Sequence, residues 1–429
     1  MTRFSELAQL PEHMTRGSRQ ILFLVTAGSL VAYGGCSGSS HGGAGGGAGS
    51  EDRPGTGGGA GAEGVGGAGS GGVLGSGGAS ATGGASATGG ASATGGAPGS
   101  GGTSGGAVDA GQDGGGADTR PDGGGAPAAA NTFRCGNWAD QRDNFVNGDL
   151  QLSGTTIADS YATVFAKSTA ILTAFQNTVG ANSVRIPINE PTVMDAWWGA
   201  YKGTIDAALA RGMKVIVAYW AWHNGRMDDI NTFYAMWDVV VNAYAGNGLV
   251  YFQIFNEPYA YQPADFITLA VQWMARYPSL PPGRVIVAGN YTDQDVRPQG
   301  ADPRLNGTLL SLHIYPFSNA TQTSTQAWRD MLQTNLGAYA SRTIVSEWGA
   351  PMTTGADYSG AGDGDHNASF ITALSTYLHD NGIGSCYWPV LRTADTWSLT
   401  TLNGAGTTLS LTVNNASGLN RVRAAFGLQ

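Results

Sequence analysis

Beyond Asn131 the chain alternates short apolar runs with longer stretches whose apolar residues return every three to four positions. Short continuous runs suit strands buried on both faces, and the longer periodic stretches suit helices that cover them. The runs fall at 145–152, 183–188, 214–219, 250–255, 285–288, 309–314, 343–346 and 384–387. Amphipathic segments lie between them, at 163–178, 200–211 and 368–380 for example. From the second run onward, starts recur roughly every 25 to 40 residues, the period of βα units in a parallel sheet. Eight such units predict a (β/α)8 barrel, a TIM barrel of the α/β class. The first strand is ambiguous, because 133–138 competes with 145–152 for the role. No GxGxxG or P-loop pattern follows any of these runs, which argues against a doubly wound nucleotide-binding sheet.

The front of the chain reads differently. Arg16 and Arg19 precede an apolar run, 21–33, that ends at Gly34-Gly35-Cys36. The run is too short to span a bilayer and has the basic start and small-residue end of a secretory signal. Small residues directly before a cysteine resemble a bacterial lipobox, so Cys36 is the expected lipidated residue, although Tyr33 stands where an aliphatic residue is usual. Translation from Met14 would preserve this signal, because residues 1–12 add nothing to it. The expectation is an exported protein, a cell-surface or outer-membrane lipoprotein or otherwise a secreted one. From Ser37 to Ala130 the sequence is Gly, Ala, Ser and Thr with scattered Asp and Pro, and Gly-Gly-Ala-Ser-Ala-Thr occurs three times in 77–94. Such a segment has too little apolar surface to offset the entropy of ordering, so a disordered tether is expected. Its r.m.s. reach would be roughly 50–60 Å. The globular part is then 131–429.

Composition narrows the partners. The formal net charge is −9 and only 12% of residues are charged. That leaves no basic stripe for nucleic acid, and neutral partners such as uncharged sugars remain. All 11 tryptophans lie in the globular part. Of its cysteines, Cys135 and Cys386 stand near opposite ends. In a closed barrel the first and last strands are neighbours, so the two could pair, or remain as buried free thiols. The segment Asp363-Gly-Asp365-His-Asn367 lacks the later bidentate acid of a calcium loop and reads as a polar loop.

Catalytic groups in such barrels stand at the C-terminal ends of strands. Those positions carry Arg185, then His223 and Asn224, then Asn256-Glu257, then His313 and Tyr315, then Glu347, then Trp388. Two carboxylic acids therefore end the fourth and seventh strands. A retaining glycosidase needs such a pair, one as nucleophile and one as acid/base.

The stretch Val250-Tyr-Phe-Gln-Ile-Phe-Asn-Glu-Pro-Tyr259 resembles the signature of glycoside hydrolase family 5, the cellulase-like branch of the retaining barrel glycosidases. Ile344-Val-Ser-Glu-Trp-Gly349 and Val184-Arg-Ile-Pro-Ile188 resemble its seventh and second strand segments. The resemblance implies Glu257 as general acid/base, Glu347 as nucleophile and Arg185 as a group that positions the nucleophile. It places His223, Asn256, His313, Tyr315 and Trp388 in the surrounding shell. It also implies a β-linked polysaccharide or oligosaccharide substrate and no cofactor or metal. The activity expected is that of an endo-β-1,4-glucanase, with a β-mannanase or another β-glycanase of the family as the alternative. A monomer is expected. A surface lipoprotein that binds polysaccharide without cleaving it would lack one of the two glutamates, and both are present.

One departure limits what carries over. Tyr219-Trp-Ala-Trp precedes His223 where the family often has an acidic residue, which leaves the substrate open. Trp220 and Trp222 are candidate sugar platforms or core residues in equal measure, as are Trp197 and Trp198.

Overall fold

A computed structural model describes residues 130–222 and 225–428. Cys36, the apolar run before it, the stretch 37–129, and His223 with Asn224 lie outside the described residues. No helix among the described residues is long and apolar enough to cross a membrane.

Eight parallel strands close into a barrel in sequence order. They are β1 (Arg134–Trp138), β2 (Ser183–Ile188), β3 (Lys214–Tyr219), β4 (Val250–Gln253), β5 (Val285–Ala288), β6 (Leu309–His313), β7 (Thr343–Trp348) and β8 (Ser385–Leu391). Closure runs through β1 and β8, with Cys135 opposite Cys386 and Gly136 opposite Tyr387. The expected (β/α)8 architecture is therefore present. Cys135 and Cys386 are neighbours across the seam as buried free thiols.

The expectation of a first strand at 145–152 is wrong. Only Leu152 of that run makes a bridge, antiparallel to Asp140. The run before it wins because Cys135 pairs with both Ser183 and Cys386, which a strand must do to close the ring. Residues 145–152 instead form part of the loop after β1. Asn189 Nδ2 donates to the carbonyls of Val146 (3.3 Å) and Gly148 (2.9 Å), which ties this loop to the end of β2.

Each strand is followed by a helix: α1 (Tyr161–Ala174), α2 (Gly203–Ala210), α3 (Ile230–Tyr244), α4 (Pro263–Arg276), α5 (Arg297–Ala301), α6 (Thr325–Leu336), α7 (His366–Asp380) and α8 (Ala416–Ala425). Local sequence explains where several begin. Ser160, Asp229, Ser324, Asp365 and Asn415 each accept a hydrogen bond from the backbone N–H three residues on, satisfying a donor the helix cannot. Asp365 thus caps α7, and Asp363 accepts from the Thr325 N–H at 2.6 Å, so the acidic loop serves helix ends. Between β8 and α8 lies a hairpin, β9 (Thr400–Ala405) and β10 (Thr408–Val413). Its Leu402, Leu409 and Leu411 pack on the core while alternate Thr and Ser residues stay exposed.

Inside the barrel, polarity changes with height. The floor is an apolar cluster that includes Phe133, Cys135, Ile216, Ile286, Leu309 and Ile344. Above it are Asn137, Arg185, Gln253, Ser311 and Ser346, all buried and polar. Buried polar groups persist only when bonded, and these bond to one another beneath the mouth. Trp197 and Trp198 belong to the packing rather than to the mouth. The Trp197 indole donates to the Leu150 carbonyl at 2.9 Å, and Trp198 packs on Tyr201 and Tyr244.

Candidate active site

Strand ends at the C-terminal mouth bring together six of the residues expected there. Arg185, pointing inward from the middle of β2, is 1% exposed and fully engaged. Its Nη1 donates to Glu347 Oε1 at 2.5 Å and to Asn137 Oδ1 at 3.0 Å. Nη2 donates to Asn256 Oδ1 at 2.5 Å, and Nε donates to Gln253 Oε1 at 2.7 Å. A planar guanidinium can hold four acceptors in one plane, which an ammonium cannot do.

Glu347 sits within β7, its backbone facing His313 of β6. Its second carboxylate oxygen accepts from the Tyr315 hydroxyl at 2.6 Å. Both oxygens are thus held by donors. Gly349 follows two residues later for a steric reason. A Cβ there would lie 2.2 Å from the Trp388 carbonyl oxygen, so β7 approaches the end of β8 more closely than any side chain allows.

Glu257 follows β4 with a positive φ of 50°, a left-handed conformation that non-glycine residues hold only under constraint. Asn256 N–H donates to the Tyr219 carbonyl at 2.7 Å, and Tyr259 N–H donates to the Glu257 carbonyl at 2.8 Å, so the turn is pinned on both sides. The Glu257 carboxyl is 17% exposed against 3% for Glu347, so Glu257 faces the open cleft. His313 Nδ1 lies 3.0 Å from Glu257 Oε1 and 3.5 Å from Glu347 Oε2. One carboxylate oxygen of each glutamate and the imidazole nitrogen all lie within 4.8 Å of one another. These three are also the donors among the described residues whose spacing could hold a cation.

The electrostatics separate the groups. Burial raises the Glu257 carboxyl to about 7, against an opposing pull from Arg185. Burial lowers His313 to about 3, so the imidazole is neutral over the working range of most enzymes. Burial and then the Glu347 charge push the Tyr315 phenol well up, so it stays a donor. For Arg185 burial favours the neutral form, but the adjoining Glu347 charge leads the groups that outweigh it and keep the cation.

Trp388 stacks on Trp220 at 5.7 Å with an interplanar angle of 19°. Trp220 is 3% exposed, and the Arg185 guanidinium lies 5.6 Å from its ring centre. Trp220 is therefore the backing of Trp388 rather than a platform itself. Across the mouth, Tyr315 stacks on Phe317, and Trp397 meets both rings edge-on. Trp222 donates from its indole to Asp228 at 2.5 Å. His223 stands next to it in the chain but lies outside the described residues.

Three buried residues of this network escaped the sequence reading: Asn137, Gln253 and Asp293. Asn137 Nδ2 donates to the Ser346 carbonyl at 2.9 Å and the Tyr387 carbonyl at 3.2 Å, and its oxygen receives Arg185. Gln253 interrupts an otherwise apolar run, which is the signal that could have exposed it. Asp293 Oδ2 lies 3.2 Å from His313 Nε2.

The family model for cellulase (glycosyl hydrolase family 5) matches residues 144–391. No curated protein matches the chain. Solved structures of similar fold include a hyperthermostable endocellulase and a cellulase–inhibitor complex. Each is 13% identical with a TM-score of 0.50, covering 69% of this chain and 92% of the other. An endocellulase from Pyrococcus horikoshii in complex with cellotetraose is 12% identical with a TM-score of 0.49, covering 68% and 92%. At these identities the likeness concerns the fold, while the matched segment spans more than half of the chain and contains both glutamates. The chain belongs to the cellulase family, glycosyl hydrolase family 5.

Proposed function

We propose that this glycoside hydrolase is a retaining endo-β-1,4-glucanase in which Glu347 is the nucleophile and Glu257 the acid/base. The observation that carries the reading is the separation of the two carboxylates, with oxygens within 4.8 Å of each other. Retention by double displacement works with carboxyls about 5–5.5 Å apart, whereas inversion needs about 6.5–9.5 Å to seat a water between them.

The roles follow from the surroundings. Glu347, ion-paired to Arg185 and bonded by Tyr315, is an anion aimed at the anomeric carbon. Glu257, raised to about 7, carries a proton to the leaving oxygen as the C–O bond breaks. Glu347 then holds the sugar as an ester and no longer bears charge. Glu257, now ionised, takes a proton from water as that water attacks the ester-bound carbon, and both groups return to their starting states. The Asn256 Nδ2 is buried without a hydrogen-bond partner among the described residues, which suits it to a sugar hydroxyl beside the reacting carbon. Trp388 offers its face to a pyranose ring.

The test is hydrolysis of cellulose, mixed-linkage glucan, glucomannan, β-mannan and xyloglucan by the full chain, with Glu347→Ala as control. Greatest activity on β-1,4-glucan supports the reading. Greatest activity on β-mannan moves the assignment to a mannanase, and no activity on any β-glycan, or full activity in the variant, overturns it. Export and anchoring through Cys36 form a separate proposal, supported by the basic, apolar and small-residue pattern before that cysteine. Cys36→Ser should release the protein from the membrane fraction, and unchanged attachment would count against that anchor.

A further inference from the structure

The loop after β5 is, besides the Glu257 turn, a second strained part of the site. Tyr291 (φ 57°, ψ −127°) and Asp293 (φ 60°) both hold positive φ, a conformation that non-glycine residues adopt only at an energetic cost. A bridge between Asn290 and Asp295 closes the loop. The turn leaves the Tyr291 ring 62% exposed and puts the Asp293 carboxyl at 0%. Such strain persists where surrounding structure insists on it, and it gathers at functional sites.

We infer that Asp293 is a positioning residue that acts on Glu257 through His313, by fixing which imidazole nitrogen carries the proton. The inference rests on Glu257 as the acid/base. Asp293 Oδ2 accepts from Ser311 Oγ at 3.0 Å and lies 3.5 Å from Gln253 Nε2. His313 Nε2 approaches the same oxygen at 3.2 Å, short of a well-aligned hydrogen bond. An oxygen already acting as acceptor favours an N–H opposite it, since a bare nitrogen there would set lone pair against lone pair. The neutral imidazole has one proton to place, so Nε2 holds it and Nδ1 is bare. Nδ1 lies 3.0 Å from Glu257 Oε1 and can only accept, which favours the protonated acid.

Without Asp293 the other tautomer becomes available. Its Nδ1–H would donate to the Glu257 carboxylate and favour ionisation. The charged or titratable groups facing this pair are Arg185 from β2, Glu347 from β7, Tyr315 after β6 and Tyr259 after β4, together with Asp293 itself. Burial and then the Glu257 charge push the Asp293 carboxyl well up. Loss of Asp293 therefore removes either a negative neighbour or the tautomer lock, and both changes lower the pH at which Glu257 loses its proton.

Two measurements test this. The first is the pH profile of kcat/KM on cellotetraose for the wild type, Asp293→Asn and Asp293→Ala. The alkaline limb should move to lower pH by about half a unit or more in both variants. A limb that stays in place while kcat and Tm fall would reveal a structural role only and overturn the inference. The second needs no variant of Asp293: 15N NMR of the histidine-labelled wild-type protein, with the His313 signals identified by their loss in His313→Gln. The Nε2–H tautomer between pH 6 and 8 is expected, and Nδ1–H would overturn the inference. A wild type inactive on every β-glycan would instead sink the proposed activity, and the tautomer would still be readable.

Discussion

Arg185 and Glu347 form an ion pair 2.5 Å long inside the barrel, with side chains 1% and 3% exposed. A charge buried so completely survives through its partners, and Arg185 meets four acceptors while Glu347 meets two donors. Removing one member leaves the other unpaired, a loss of about 3–5 kcal/mol for a buried pair. Arg185→Ala should therefore lower unfolding free energy by that order and kcat by at least about 100-fold. Arg185→Lys keeps the charge but not the planar fork, so it should recover little of either. Urea unfolding with kcat on β-glucan checks both, and a fully active lysine variant would contradict the account.

The raised Glu257 carboxyl links activity and stability to pH. Activity needs the protonated form, so kcat/KM should fall as pH rises through about 7. For stability, a carboxyl lifted in the folded state contributes fully below its unfolded value near 4.3, and that contribution is lost as pH rises through about 7. Glu257→Gln carries no such dependence. Its Tm relative to wild type should climb between pH 4.5 and 8, by an amount equivalent to no more than about 3 kcal/mol. A Tm difference flat across that range would refute the assignment of the raised group.

Gly349 leaves no room for a methyl group beside the Trp388 carbonyl. Gly349→Ala should push β8 away from β7, displace Trp388, and lower stability by about 1–3 kcal/mol. Thermal unfolding measures the first effect. KM for cellotetraose, expected to rise, measures the second.

Trp220 supports Trp388 from behind and lies against Arg185. Trp220→Ala should open a cavity and lower stability by about 3–5 kcal/mol. Trp388→Ala should spare stability and weaken sugar binding by about 1 kcal/mol or more. Denaturation midpoints set beside isothermal titration with cellotetraose on a Glu347→Ala background separate the two roles.

Much of the barrel was visible in the spacing of apolar runs, because a strand buried on both faces must be apolar along its length. The exceptions share a cause. The first strand stayed ambiguous because 145–152 and 133–138 both carry short apolar runs, and pairing to Ser183 and Cys386, which decides between them, is a property of the closed ring. Asn137 and Gln253 are single polar positions inside apolar strands, and only the closed ring shows that they point to Arg185. Asp293 enters the site only through a positive φ, which composition does not betray. Trp197 and Trp198 show the converse, aromatic residues suited to sugars but committed to packing. The hairpin 400–413 has an alternation of Thr, Ser and Leu in its second strand, yet it lies outside the eight-fold βα repeat.

The most direct test of the central claim is the configuration of the first product, followed by 1H NMR of the anomeric protons as the full chain hydrolyses cellotetraose. Two carboxylates with one oxygen of each within 4.8 Å of the other predict that the β-anomer forms first and mutarotates to the equilibrium mixture. Initial formation of the α-anomer would mean inversion through a water, and would contradict Glu347 as a nucleophile.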